Sequence, residues 1–428
     1  MATISVRLSA AILVVLTATS ARADGDLVEP TGIVTLGDAA QAALLGSPDL
    51  RAFSAEVRAR EAQALQAGLA PNPLFAAEVE NIGAGRGDAF ARTETTLSLA
   101  QLLELGGKRA KRRHVALLER DLAGWDYETR RVLVLSEVAK AFVAALAAQE
   151  RLALADELIR IADASAASVA TQVRAGAVSP IEQDRARVAA ERARLERVQL
   201  EHEGRAARAA LAATWGSSRV LFDALHGDLA EVAAPAPLER FLARVQDNPD
   251  LARWGAELAE RRAAFELERA RAIPDLTARV GVRHLNEDDA AAAVAELSLP
   301  LQLFDRNQGA IAAARQRLAK AEAERAAAET AVRSALAQAY EIFHSAYDQV
   351  VTLRDLLVPR AQSVFRRLRE DYARGLFRYL DVLDAQRTVF ELRNQYLQTL
   401  ASYHHARIEV ERLSGATAST SGPGREQP

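Results

Sequence analysis

Pro48-Asp49-Leu50-Arg51 returns about 200 residues later as Pro249-Asp250-Leu251-Ala252. Outward from that pair the correspondence continues. Pro73 falls on Pro274, Leu97-Ser98-Leu99 on Leu297-Ser298-Leu299, and Trp215-Gly216 on Ser414-Gly415. Arg174-Ala175-Gly176 aligns with Ala373-Arg374-Gly375 after a one-residue slip. Self-similarity at one fixed offset means a single structural plan built twice. Each copy is predicted to run helix, strand, strand, long helix, tight turn, returning helix.

In the first copy Thr35 is a candidate cap for a helix that is jogged at Pro48, continues to about Gln66 and is stopped by the Gly68–Pro73 stretch. From Lys108 to Arg174 there is no Pro and one Gly, Gly124, among many Ala, Leu, Glu and Arg. Such a composition predicts one continuous helix of about 100 Å. The matching stretch from Ala310 to Arg374 has no Gly and one Pro, Pro359, where a kink or break is expected. Both stretches end in a turn. In Gly176-Ala177-Val178-Ser179-Pro180-Ile181-Glu182, Gly176 suits a left-handed helix end, Ser179 an N-cap, Pro180 the first helical residue and Glu182 the reciprocal capping position. The second turn, Gly375-Leu376-Phe377-Arg378-Tyr379-Leu380-Asp381, has Arg378 where a cap hydroxyl belongs, so a less well capped tip is expected.

Between the helices the pattern changes to period two. Phe75, Ala77 and Val79 alternate with Glu78 and Glu80, and Leu97, Leu99 and Leu103 with Thr96 and Ser98. Leu276, Ala278, Val280 and Val282 alternate with Arg279 and Arg283, and Ala295, Leu297, Leu299 and Leu301 with Glu296. Four amphipathic strands are predicted, at about 74–82, 94–104, 275–285 and 293–303, joined in pairs by polar loops from Gly83 to Arg92 and from Asn286 to Ala292. Their length of about 10 residues is that of a membrane-spanning strand. Four strands cannot close a barrel, and an open edge in lipid leaves backbone groups unpaired at several kcal/mol each. The chain must therefore associate with copies of itself, with Glu78, Glu80, Arg279, Arg283 and Glu296 lining a wet lumen.

Arg7, the apolar run Leu8 to Ala18 and Ala21-Arg22-Ala23 read as a signal peptide over residues 1–23, with the mature chain starting at Asp24. No other stretch reads as a membrane-spanning helix. A formal net charge of −3 leaves no basic surface for nucleic acid. The absence of Cys removes disulfides, thiolate metal sites and a lipidated N-terminal Cys. His114, His202, His226, His284, His344, His404 and His405 form no ligand-spaced pair and read as dispersed surface residues, so no metal site is expected. Gly83-Ala84-Gly85-Arg86-Gly87 joins two strands and is no phosphate loop. No nucleophile stands with a base, so neither an enzyme nor a cofactor is expected.

With the duplication, Pro71-Asn72-Pro73, Leu105-Gly106-Gly107-Lys108-Arg109, Leu303-Phe304-Asp305-Arg306-Asn307-Gln308-Gly309 and Leu380-Asp381-Val382-Leu383-Asp384-Ala385-Gln386 resemble the TolC-like outer membrane factor family, in its CzcC- and CusC-like heavy-metal efflux branch. The resemblance spans about residues 35–415. It implies a mainly α protein with a membrane β-barrel: a homotrimer whose 12-stranded barrel in the outer membrane of a Gram-negative bacterium continues into a long periplasmic helical barrel. The partners implied are a periplasmic adaptor and an inner-membrane resistance-nodulation-division pump, with outer membrane lipid around the barrel. By the same resemblance Asp381 and Asp384 form the channel gate, which favours cations, and Tyr372 and Arg378 are candidate gate-closing contacts. Gly176, Ser179, Pro180, Gly375, Leu376 and Phe377 belong to adaptor-docking tips. Acids in a first helical turn also complement the backbone dipole without any gate. With no Cys, the barrel alone is the expected anchor.

The domain reading is a first repeat over 24–216 (long helix about 107–174, tip 175–179), a connector over 217–237 in an equatorial position, and a second repeat over 238–415 (long helix about 308–374, tip 375–379). A disordered tail is expected at 416–428. Two other functions fit less well: the same channel serving drug efflux or type I secretion, and a soluble periplasmic coiled-coil adaptor or structural protein. The latter has no use for four membrane-length strands.

Overall fold

The computed structural model describes residues 29–83 and 90–415. The expected signal peptide, the mature start at Asp24, the tail at 416–428 and most of the Gly83–Arg92 loop lie outside them. In chain order the elements are β1 (Gly32–Val34), α1 (Leu36–Gly46), α2 (Pro48–Ala67), β2 (Leu74–Glu80), β3 (Glu94–Leu103), α3 (Lys108–Arg174), α4 (Pro180–Ala213) and β4 (Phe222–Leu225). Then follow α5 (Leu238–Leu242), a short 3-10 turn (Val245–Asp247), α6 (Pro249–Arg271), β5 (Leu276–Leu285), β6 (Ala290–Ser298), α7 (Gln308–Thr352), a π-helical turn (Leu353–Leu357), α8 (Val358–Ala373) and α9 (Tyr379–Leu413).

The duplication is visible in matching joints. Thr35 and Asp38 form a full capping box at the start of α1, with the Asp38 N–H donating to Thr35 Oγ1 at 3.3 Å and the Thr35 N–H to Asp38 Oδ2 at 2.9 Å. In the second copy Asn248 caps α6, accepting from the Asp250 N–H at 2.8 Å, and its amide donates to the Leu413 carbonyl at 2.9 Å. The glycine that ends each copy touches the proline joint that opens it. Gly216, at φ +83°, has room for a Cβ only 3.1 Å from the Pro48 ring, and Gly415, at φ +75°, only 2.6 Å from the Asn248 backbone.

α3 is one helix of 67 residues, about 100 Å long. One segment of it is long and apolar enough to cross a membrane by length and composition, which corrects the expectation that no further stretch would qualify. The physical reason is packing. Val134, Val138, Phe142, Val143 and Leu146 on this helix are buried in the main core, with Leu211, Trp215, Phe222, Leu336, Phe343, Leu400 and Tyr403 from other elements. The counterpart strand of helix in the second copy is interrupted. Pro359 has no N–H to give and its ring crowds the carbonyl four residues earlier, and the chain accommodates both with the π turn immediately before it.

β2, β3, β5 and β6 form one antiparallel sheet in the order β2-β3-β5-β6, so a hairpin from each copy meets at the β3–β5 seam. At that seam Gly281 comes so close to β3 that a Cβ would lie 2.6 Å from the Leu97 carbonyl oxygen. β6 spans Ala290–Ser298, earlier than the expected 293–303. Its turn is only four residues long, closed by Asp289 at φ +47°, which lets the small Ala290–Ala293 run pair with Val282–Leu285. Pro300 cannot donate to a ladder, so Leu299 and Leu301 fall beyond the strand.

A second sheet of two strands joins β1 to β4 in parallel, tying the first described residues to the connector. This was not anticipated. The connector is also pinned to α9. Tyr403 Oη donates to the Ala233 carbonyl at 2.8 Å and accepts from its N–H at 3.0 Å, while His404 Nε2 donates to the Leu229 carbonyl at 2.9 Å. His404 is buried and His405 Nε2 reaches the Lys140 carbonyl at 3.0 Å, so these two are not the surface residues expected. Burial, above all, lowers the proton affinity of both rings; nearby Arg407 and Lys140 act in the same direction, and Glu231 and the backbone acceptors oppose it. A histidine depressed in the folded state stabilises the fold fully above its unfolded value near 6.5 and less as pH falls below it. The melting midpoint is therefore expected to drop between about pH 7.5 and about pH 5.5, and His404→Gln to flatten that dependence in a pH series of thermal scans.

Candidate functional site: the hairpin tips and the two faces of the sheet

Both tips are built alike. At the end of α3 the Ala177 N–H donates to the Gln172 carbonyl at 2.9 Å and Gly176 adopts φ +72°. At the end of α8 the Leu376 N–H donates to the Asp371 carbonyl at 3.0 Å and Gly375 adopts φ +78°. These are Schellman endings, which require the left-handed residue that glycine supplies. Ser179 caps α4 by accepting from the Ile181 N–H at 3.4 Å, with Pro180 opening the helix. Glu182 does not complete the expected capping box; it turns to Arg185, 3.1 Å away, because a cation three residues on competes for the carboxylate. At the other tip the Arg378 side chain gives no cap, as expected, but Asp381 Oδ2 accepts from the Arg378 N–H at 3.1 Å and supplies half of one.

Asp381 and Asp384 are both exposed, one helical turn apart on α9. Asp384 has Arg387 at 3.9 Å. Between them Val382 is buried against Phe365 and Val389, which turns the carboxylates away from the hairpin's own seam. Leu376 and Phe377 stand exposed at the tip.

Tyr372 lies beneath this tip with its ring 5.8 Å from that of Tyr379. Tyr379 is buried with Val169 and Ala186, so the two hairpins of one chain meet here. Burial first, then Tyr372 and Glu182, push the Tyr379 hydroxyl up to about 12. Burial and Glu182 raise Tyr372 as well, and among the described residues neither the buried Tyr372 hydroxyl nor the buried Glu182 Oε2 has a hydrogen-bond partner. Arg378 is exposed beside this cluster. Nothing in the sequence marks Glu182 and Tyr379 as members of it: the short turn between α8 and α9 sets Tyr379 against Tyr372, and the packing of this hairpin on α3/α4 brings Glu182 to both.

The sheet separates its faces as the alternation predicts. Phe75, Leu99, Val280 and Ala295 share one cross-strand row, and Ala77, Leu97, Val282 and Ala293 the next. Leu97, Leu99, Val280 and Val282 are at least half exposed, although they are large and apolar. Exposed apolar surface of this extent marks a contact face with another chain or with lipid. The opposite face carries Glu78, Glu80, Arg279, Arg283 and Glu296 together with Glu94, which alternation alone did not pick out.

The glycine and asparagine motifs at the strand-to-helix passages are joints rather than sites. Gly106 and Gly107, both at φ +68°, swing the chain into α3; Lys108 Nζ then reaches Asp275 at 2.7 Å, whose carboxylate also accepts from the Leu105 N–H at 2.9 Å. Asn307, at φ +58°, opens α7 and donates to the Glu268 carbonyl at 2.8 Å. Among the described residues no group of three His, Asp or Glu side chains is arranged to hold a metal ion.

Strands with one exposed apolar face, carried beside a helix of about 100 Å, define a membrane channel component rather than a soluble coiled-coil protein. A family model described as outer membrane efflux protein matches residues 39–217 and 244–416, and the chain belongs to that family. It is 33% identical over 391 residues to the cobalt-zinc-cadmium resistance protein CzcC of Cupriavidus metallidurans, covering 90% of this chain and 91% of that protein. It is 30% identical over 304 residues to the nickel and cobalt resistance protein CnrC of the same organism, covering 70% and 72%. The fold superposes on a crystal structure of CusC with a TM-score of 0.74 at 20% identity, covering 90% of this chain and 93% of that one.

Proposed function

We propose that the protein is the outer membrane channel of a tripartite efflux system that expels heavy-metal cations, working with a periplasmic adaptor and an inner-membrane resistance-nodulation-division pump. Three copies close their four strands each into a 12-stranded barrel, and their helices continue as a tube across the periplasm. The observation that carries this reading is the four-stranded sheet whose edges, β2 and β6, have no strand partner among the described residues and whose one face is apolar and exposed. The cation cargo is supported by the similarity to CzcC and CnrC, both named for metal resistance. The protein does no chemistry, and lipid around the barrel is its anchor.

In this reading the exposed Asp381 and Asp384 of three copies gather at the tip as the gate, with Tyr372 and Arg378 as closing contacts. Gly176, Ser179, Pro180, Gly375, Leu376 and Phe377 form the surface the adaptor meets, and Glu78, Glu80, Arg279, Arg283 and Glu296 line the lumen. Detergent extraction of native outer membranes followed by mass determination is expected to give a particle of three chains; a soluble monomer would overturn the channel. Asp381→Ala with Asp384→Ala is expected to raise single-channel conductance severalfold in planar bilayers and to weaken cation preference, because like charges in a narrow, poorly solvated ring interact strongly. Unchanged conductance and selectivity would remove the gate assignment.

A further inference from the structure

The inner face of the sheet is charged in a specific pattern. Cross-strand register sets Glu78, Thr96 and Arg283 in one row, Glu80 and Glu94 in the next, and Arg279 beside Glu296 in a third. Arg283 is held from three sides. Its Nε donates to Thr96 Oγ1 at 3.0 Å and Nη1 to Glu94 Oε2 at 2.8 Å, while Nη2 lies 3.2 Å from Glu80 Oε2. Arg279 is less firmly engaged, with Nε 3.5 Å from Glu296 Oε2. Glu78, Glu80, Glu94 and Glu296 thus face Arg279 and Arg283, an excess of two carboxylates in every chain. The central rows of the opposite face, Phe75-Leu99-Val280-Ala295 and Ala77-Leu97-Val282-Ala293, carry no charge at all.

Charges of one sign on the wall of a water-filled bore, backed by an apolar medium, focus a field along the axis. Rings of carboxylates in such a bore admit cations and repel anions. A carboxylate bound to a guanidinium contributes little at a distance, so the field depends on how many acids the arginines neutralise. We propose that these residues form a cation-selective belt inside the membrane sheet, separate from the acids at the hairpin tip, and that Arg283 sets its strength by holding Glu80 and Glu94. The inference rests on the reading that copies of the chain close these strands into a channel. Its ligands are hydrated cations in transit, as a class, with no tight site for any one of them.

The test is the reversal potential of the purified full-length channel in planar bilayers under a KCl gradient. It is made in an Asp381→Asn/Asp384→Asn background, so that the tip acids do not set the signal. Glu80→Gln with Glu94→Gln is expected to lower the cation-to-anion permeability ratio by about two- to threefold, and Arg283→Gln to raise it by a similar factor, both effects shrinking near 1 M salt where the Debye length falls to about 3 Å. Arg283→Lys keeps the charge and is expected to stay near the parent ratio. Glu78 is exposed, so Glu78→Gln removes a charge without touching packing and decides the matter if the other variants fail to assemble. A ratio unmoved by Glu78→Gln and by whichever other variants form channels would overturn the belt. Failure of the unsubstituted chain to form any channel would instead overturn the channel reading on which the belt rests.

Discussion

Leu97→Arg is expected to abolish recovery of assembled protein from the outer membrane, while Glu78→Arg, one row away in the register but on the other face, leaves assembly intact. Leu97 pairs across the sheet with Ala77 and Val282, at the middle of its strand and in the apolar exposed face. A guanidinium at that depth in lipid costs about 2–4 kcal/mol, and a symmetric assembly incurs it once per copy. Glu78 faces the opposite side, where a charge remains in water. The measurement is the yield of detergent-extracted, trimer-sized particle from membranes of cells expressing each variant. Equal yields for the two would mean that the apolar face does not meet lipid.

Tyr403→Ala is expected to lower the stability of the helical portion by about 3–5 kcal/mol. The ring is almost fully buried, 5.1 Å from Phe343, and its hydroxyl both donates to and accepts from the backbone of Ala233. Tyr403→Phe keeps the packing and strands that backbone N–H and carbonyl, so a smaller loss of about 1–3 kcal/mol is expected. Chemical denaturation of the extracted protein separates the two. Equal losses would place the whole effect in the hydrogen bonds, and no loss would mean the connector is not held by α9.

The regular parts of this fold were legible in the sequence because they depend on local chemistry. Gly176 and Gly375 announce left-handed helix ends, Thr35 and Ser179 announce caps, and the alternation from Leu276 to Val282 separates two faces without knowledge of any partner strand. The offset that repeats Pro48-Asp49 at Pro249-Asp250 announced two copies. Where local signals compete, the sequence alone does not say which prevails. Glu182 had a capping position and an arginine three residues on, and the ion pair prevailed. The run Ala290–Ala293 lacks any bulky alternation, so the start of β6 was invisible until its pairing with β5 was known.

By itself, then, the sequence determined the duplication, the order of the long helices and the four sheet strands within each copy, and the apolar and polar faces of those strands, because caps, turn residues and hydrophobic period act within a few residues of one another. Only the tertiary structure decided which elements meet. It decided that β3 and β5 form the seam between the copies, that Tyr372 and Tyr379 join the two hairpin tips, and that Arg283 sits among Glu80, Glu94 and Thr96. Those contacts join residues about 170 to just over 200 positions apart except at Tyr372 and Tyr379, where the intervening turn is short but the burial comes from Val169 and Ala186 of the other hairpin. Which distant strands meet and how the hairpins pack on each other depend on contacts far apart in the chain, which caps, turns and alternation do not encode.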